Sequence, residues 1–336
     1  MFCKRLLALM SLALGLAFMV LGGVALAEYP EKDINGIIQW GAGGATDVIS
    51  RAITPLAEPY LGKKIILVNK PGATGAIATT YVYNQPADGY TLLFGAENPS
   101  MYKVLGLSEI DYGDFEPIII IGAVPNVTVV KADSKYKSFK EFIEDAKANP
   151  GKVKIAFTGV GGAPHVVSSI MKVVSGVEFN AVEFPGEGPG LTALLGGHVD
   201  AMPSGIAPAA EFLRAKMLRG LMVFDKKRLT AFPDIPAITE IYPEYEKYVP
   251  YYPWYGVFVK KGTPKEIVDK LTQAFKKAFD DPKYQEFLAK RDTIPLGLTG
   301  KEAREFVDRQ RSLASWLMWE AGAAKRSPEE FKIPKP

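Results

Sequence analysis

The chain has 336 residues, with 40 Lys and Arg against 37 Asp and Glu, two His and one Cys. That near balance gives no electrostatic reason to expect nucleic acid as a partner, and a lone cysteine excludes a disulfide framework or a cysteine–zinc site. The length exceeds what one compact core usually takes, so two domains are expected.

In chain order, Lys4 and Arg5 precede an apolar run from Leu6 that ends in Ala25-Leu26-Ala27. A basic start, an apolar stretch and an A-x-A end describe a secretory signal peptide over residues 1–27; an uncleaved membrane anchor is the alternative. Cys3 lies too early to be a lipid-modified cysteine, and cleavage leaves no cysteine in the mature chain. It also leaves 38 basic against 37 acidic residues. After residue 27 no apolar run is long enough to span a bilayer, so the mature protein reads as exported and soluble.

Strands and helices then alternate. DINGIIQW reads as a strand, followed by a glycine loop and a helix over DVISRAITPLAEPYLG. KIILVNK is a second strand, GAIATTYVYNQ a second helix and YTLLFGAE a third strand. This βαβαβ order predicts a parallel sheet with helices on its faces. From about Val130 the pattern restarts. SFKEFIEDAKANPG opens with Ser138 and carries Glu141 three residues on, a capping box that satisfies amide donors at the helix start. KVKIAFTG is a strand, HVVSSIMKVVSG a helix closed by Gly176, and VEFNAVEF another strand; GLTALLGG, VDAMPSG, AAEFLRAKML and GLMVF continue the alternation. The last third is more helical, with capping signatures at Thr263-Pro264-Lys265-Glu266 and at Thr299 with Glu302. Borders fall near residues 130 and 249, where Pro125 and YVPYYPWYG interrupt the pattern.

Two strands lead into comparable loops, Gly41-Ala42-Gly43-Gly44-Ala45-Thr46-Asp47 and Thr158-Gly159-Val160-Gly161-Gly162-Ala163-Pro164-His165. Glycine lets a ligand approach the backbone without meeting a Cβ. The helix that follows offers unpaired N–H groups and the positive end of its dipole, which bind phosphate or carboxylate without Lys or Arg. Phosphate fits poorly. The third glycine of a dinucleotide fingerprint is replaced by Thr46, Asn69-Lys70 stand where an acid is needed, and no Gly-Lys-Ser/Thr occurs. An ordinary strand-to-helix turn explains either loop alone; two such loops in two halves favour a shared cleft that takes a carboxylate.

YPEKDINGIIQWGAGGATDVISR, VNKPGATGAIATTYVYNQPADGYTLLFG, EFPGEGPGLTALLGGHVDAM and WYGVFVKKGTPKEIVDKL together resemble the substrate-binding proteins of tripartite tricarboxylate transporters, the Bug family. The resemblance covers nearly all of the mature chain in the same order. It implies a periplasmic, monomeric, two-domain α/β protein of the type II "Venus flytrap" kind, with a central sheet and flanking helices in each domain. It implies closure on a small organic carboxylate and delivery to a permease of one large and one small membrane subunit. The first domain would comprise residues 28–129 plus 249–336, the second 130–248. Carried onto this chain, the first loop contributes Ala42, Gly43, Gly44, Thr46 and Asp47, and the second Thr158, Gly161, Gly162, Ala163 and His165. Trp40 stands where phenylalanine is common, Glu97-Asn98 where neutral residues are usual, and Glu187 where small ones are.

Each residue also has a plainer role. Asp47 and Thr46 suit a helix start. Glu97 and Glu187 are either solvated loop residues or, if ionised in the cleft, a sign that the ligand carries an amine as well as a carboxylate. Trp40, Phe184, Tyr252 and Trp254 are candidates for cleft walls or core; His165 for a donor to carboxylate, His198 for a turn. Gly43→Val is expected to block a backbone approach to the ligand. No G-x-S-x-G elbow, H-E-x-x-H or His–Cys pairing is present, so a binder without metal or cofactor is expected rather than an enzyme. A ligand-presenting receptor for a membrane sensor is the alternative, and an exported hydrolase a more distant one.

Overall fold

The computed structural model describes residues 29–336; the expected leader lies outside the described residues. The chain runs β1 (Ile34–Ile38), α1 (Ala45–Leu61), β2 (Ile65–Asn69), α2 (Ala76–Tyr83), β3 (Thr91–Ala96), β4 (Phe115–Ala123) and β5 (Asn126–Lys131). It continues through α3 (Phe139–Ala148), β6 (Lys154–Phe157), α4 (Ala163–Ser175), β7 (Asn180–Glu183), α5 (Glu187–Leu195), β8 (Met202–Gly205), α6 (Ile206–Arg214) and β9 (Leu218–Val223). It ends with β10 (Trp254–Lys260), α7 (Lys265–Asp280), α8 (Pro282–Ala289), β11 (Ile294–Leu298) and α9 (Gly300–Glu320). None of the described helices is long and apolar enough to cross a membrane.

The expected βαβαβ unit is present: β1 pairs in parallel with β2 on one side and β3 on the other. Burial on both faces explains the isoleucine-rich β1. Helix α1 buries Ile49, Ile53, Ala57 and Leu61, a stripe at four-residue spacing, and α7 packs against it. Each such isoleucine contributes roughly 1.5–3 kcal/mol by leaving water. The helix stops at Gly62, whose left-handed backbone (φ 72°) lets its N–H bond the Glu58 carbonyl.

The whole sheet is mixed, not purely parallel. Its order is β11-β4-β10-β3-β1-β2, and β10 lies between β3 and β4, antiparallel to both. The chain from Trp254 onward is therefore built into the same sheet as the N-terminal strands. Strand β4 carries no periodicity in its sequence, because FEPIIIIGA is buried along nearly its whole length.

Beyond β4 the strands change sheet. β5 pairs antiparallel with β8 and β9, and β6 pairs in parallel with β7, tied to the chain before β8 by a bridge between Ile155 and Ala201. The change occurs at Val124-Pro125, so a border at 130 falls inside β5. The return passes close by: Val124 N–H donates to the Pro253 carbonyl at 2.9 Å, and Asn126 Nδ2 to the Tyr251 carbonyl at 3.0 Å.

Of the three capping signatures, one forms in part. Ser138 Oγ accepts from Glu141 N–H, but the Glu141 carboxylate takes the Lys137 N–H instead of that of Ser138. Pro264 itself is the cap residue of α7, which leaves Thr263 outside, bonded to the Lys260 carbonyl. Thr299 caps α9 by backbone conformation only.

Candidate functional site

The first glycine loop is braced from behind. Gln39, fully buried, donates to Tyr102 Oη and Asn98 Oδ1 and accepts from Ala96 N–H. Asn98 Oδ1 also accepts from Trp40 Nε1 at 3.2 Å. Asp47 turns into the loop: its carboxylate accepts from Gly43 N–H at 3.0 Å, Asn69 Nδ2 at 2.8 Å and Arg51 Nε at 2.8 Å. Burial works to raise its pKa, yet these three donors outweigh it and hold the carboxyl below its ordinary range. Asp47 is thus a loop brace, and the Gly43 N–H it holds is spoken for. The second loop has an analogous brace. His165 Nδ1 accepts from Gly161 N–H at 3.0 Å and its ring stands edge-on to Phe157, while burial lowers its pKa to about 4 and keeps it neutral.

A cavity of about 150 Å³ lies where these loops face each other. From the first loop it is lined by Trp40, Ala42, Gly44 and Thr46, and from the second by Thr158 and Ala163. A third helix start also reaches it, at Gly186, Glu187 and Gly188. The cap residues of the three helices are Gly44, Gly162 and Gly186, and none provides a side-chain cap. First turns of α1, α4 and α5, with amides that a helix cannot pair internally, therefore border one cavity, although Pro164 and Pro189 contribute no N–H. No Lys, Arg or His lines the cavity among the described residues.

Eight of the expected residues line this cavity: Trp40, Ala42, Gly44, Thr46, Glu97, Thr158, Ala163 and Glu187. Others stand behind it. Gly43 faces a separate small pocket of about 30 Å³, and no heavy atom lies within 4 Å of where its Cβ would be. Asp47, Gly161 and His165 brace the loops, Gly162 is a cap, and Asn98 joins the loops. Phe184 packs on the core, its N–H bonded to the Phe157 carbonyl. Trp254 is buried against Tyr112, Phe258 and Phe306. Side chains alternate along a strand, so its neighbour Tyr255, with Pro253, lines the cavity instead. Tyr252 Oη bonds Asp225, away from the cavity. His198 follows α5, its N–H on the Ala193 carbonyl.

Two acids stand in the lining. Glu97 is 4% exposed, and desolvation raises its pKa to about 8, with the charge of Glu187 adding to the rise. Glu187 is also raised by desolvation, against hydrogen bonds from Gly205 N–H and Ser204 Oγ. No cluster of three or more His, Cys, Asp or Glu among the described residues could hold a metal.

A six-stranded sheet and a group of two smaller bridged sheets, each with flanking helices, joined by adjacent crossings and bordering one cavity, define the periplasmic-binding-protein fold. The chain resembles the solved periplasmic binding protein BugD, with 30% identity, a TM-score of 0.81, and 89% of this chain and all of that one covered. An R. palustris protein solved with adipate gives a TM-score of 0.81 at 26% identity, over 88% of this chain and 99% of that one. Protein BugT of Bordetella pertussis is 30% identical over 324 residues, 95% of this chain and 98% of that protein. Residues 49–318 match the tripartite tricarboxylate transporter family receptor, and the chain belongs to that family of periplasmic solute-binding proteins.

Proposed function

We propose that the protein captures a small organic carboxylate in this cavity and delivers it to a tripartite permease of one large and one small membrane subunit. The observation that carries this reading is the meeting of three glycine-started helix N-termini at one cavity without a cationic side chain in its lining among the described residues. Preorganised amides hold a carboxylate without the desolvation cost of a buried Lys or Arg. The R. palustris relative solved with adipate supports the same ligand class.

On this reading the chain up to Val124 together with that from Trp254 onward, and the segment between them, act as two lobes, with the exchange of sheets near Val124 and Pro253 as the hinge. A ligand that bonds amides of both lobes makes its full set of contacts only when they meet, so it shifts the population toward the closed form. The leader over residues 1–27 would carry the chain to the periplasm, where it acts as a monomer and performs no catalysis. Titration of the mature protein with a panel of carboxylates, followed by small-angle scattering, tests this. A ligand should bind and shrink the radius of gyration; binding to none, or binding without compaction, would overturn the clamp.

A further inference from the structure

Resting on that reading, we infer that Glu97 and Glu187 form an ammonium-binding subsite, so that the ligand is an amino monocarboxylate rather than a dicarboxylate. Glu97 follows β3 in the first sheet and Glu187 opens α5 beside the second, yet both line the one cavity. Glu97 Oε2 is buried and has no hydrogen-bond partner; its other oxygen accepts from Asn98 Nδ2 at 3.3 Å. Glu187 Oε1 accepts from Gly205 N–H at 2.7 Å. Both carboxyls are thus used as acceptors on the protein side.

A buried, unpartnered acceptor is costly unless something brings a donor. The protein offers Glu97 only neutral donors, the backbone N–H groups of Glu97 and Trp254 and the Asn98 amide, and no cationic side chain lines the space among the described residues. The ionisable groups whose charges act on Glu97 or respond to it are Glu187, Tyr102, Tyr112, Tyr251 and Tyr255, and the four tyrosines are all held in their neutral form by burial. A ligand bearing carboxylates alone would hold Glu97 in its protonated form and set further negative charge beside Glu187, with no cationic side chain to balance it. A zwitterion resolves this, its carboxylate on the helix-start amides and its ammonium against the two glutamates. Trp40 and Tyr255 in the same lining favour a cation and an apolar body as well.

Binding of the ammonium draws Glu97 into its ionised form. Its carboxyl, raised to about 8 in the empty site, therefore releases a proton near pH 7, and affinity rises as pH increases toward 8 while the amine stays charged.

The test is calorimetric titration of the mature protein with matched trios on the skeletons of alanine, valine, leucine and phenylalanine. Each trio holds the amino acid, the acid lacking the amine and the amine lacking the carboxylate; succinate and adipate are run beside them. The expected result is at least one amino acid binding tenfold or more tighter than both of its truncated partners, with proton release read from buffers of different ionisation enthalpy. Glu97→Gln and Glu187→Gln, which keep shape and an acceptor, should each weaken the amino acid tenfold or more and leave the deaminated acid unchanged or tighter. If deaminated acids or adipate bind best, the ammonium subsite falls and the carboxylate receptor stands. If the amines match the amino acids, the subsite stands and the carboxylate reading falls. No binding in any arm overturns both.

Discussion

Asn98 Nδ2 donates to the carbonyl of Gly161 at 2.8 Å, a buried hydrogen bond between the turn after β3 and the second glycine loop. The same side chain accepts from Gln39 and Trp40 of the first loop. One amide therefore ties together both walls of the cavity. Asn98→Ala should remove this tie, and ligand affinity should fall about tenfold as the lobes favour separation. Leaving Gly161 O and Trp40 Nε1 without these partners should also lower stability by about 1–3 kcal/mol. Titration and denaturant unfolding measure the two effects; an unchanged affinity would show that closure does not use the bond.

The first loop should respond through its brace. Asp47→Asn removes the charge that Arg51 pairs with and an acceptor for Gly43 N–H or Asn69, so stability at pH 7 should drop by roughly 1–3 kcal/mol. The native carboxyl lies below its ordinary value. Its contribution is therefore complete above the unfolded pKa near 4 and is lost as pH falls through the lower folded one. Urea titrations of both proteins should show a constant gap above pH 5 that closes in acid.

At Gly43 the expected backbone approach to ligand gives way to a conformational account. Its φ is +80° and a Cβ there would meet nothing within 4 Å, so Gly43→Ala should cost about 1–2 kcal/mol of left-handed strain without any clash. A melting-temperature shift with a modest change in affinity is the expected pair of readings, in place of a steric block by valine.

His165 should make the second loop acid-sensitive. The folded imidazole is depressed to about 4 by burial, against about 6.5 when unfolded. Between those values the unfolded chain binds the extra proton, so stability falls as pH drops from 6.5 to 4, by on the order of 2 kcal/mol. His165→Gln should flatten that part of the stability–pH curve. An equally steep curve in the variant would place the acid response elsewhere.

Trp254 and Tyr255 should separate core from cavity. Trp254→Ala removes a side chain 1% exposed and should cost about 3–5 kcal/mol. Tyr255→Leu keeps apolar bulk but loses the phenol in the cavity, so the loss should appear in ligand titration more than in unfolding. The order reversed would mean that the cavity is not the site.

Those two residues also show where legibility stopped. The alternation of apolar runs, the glycine loops and the sheet with parallel β1, β2 and β3 could be read directly, because backbone hydrogen bonding and strand period are local properties. Which of two adjacent aromatics faced the cavity could not, since YVPYYPWYG has no clear alternation and prolines disturb its register. The third helix start, at Gly186, lay inside the recognised EFPGEGPGLTALLGG segment. Its Pro185-Gly186 preceding an apolar helical stretch was the available signal, and Glu187 drew notice only as an unusual acid.

By itself the sequence determined most element types and the two glycine loops that start helices, since these depend on residue identity and near neighbours along the chain. Tertiary structure alone decided that Asp47 and His165 turn inward to hold their loops while Glu97 and Glu187 meet across one cavity. Asp47 and His165 take donors about a helical turn away, with Asn69 added for Asp47, whereas Glu97 and Glu187 come from distant parts of the chain and share a cavity only in the folded protein. Burial and partnership, which set what a carboxyl or an imidazole can do, exist only once the chain has brought such groups together.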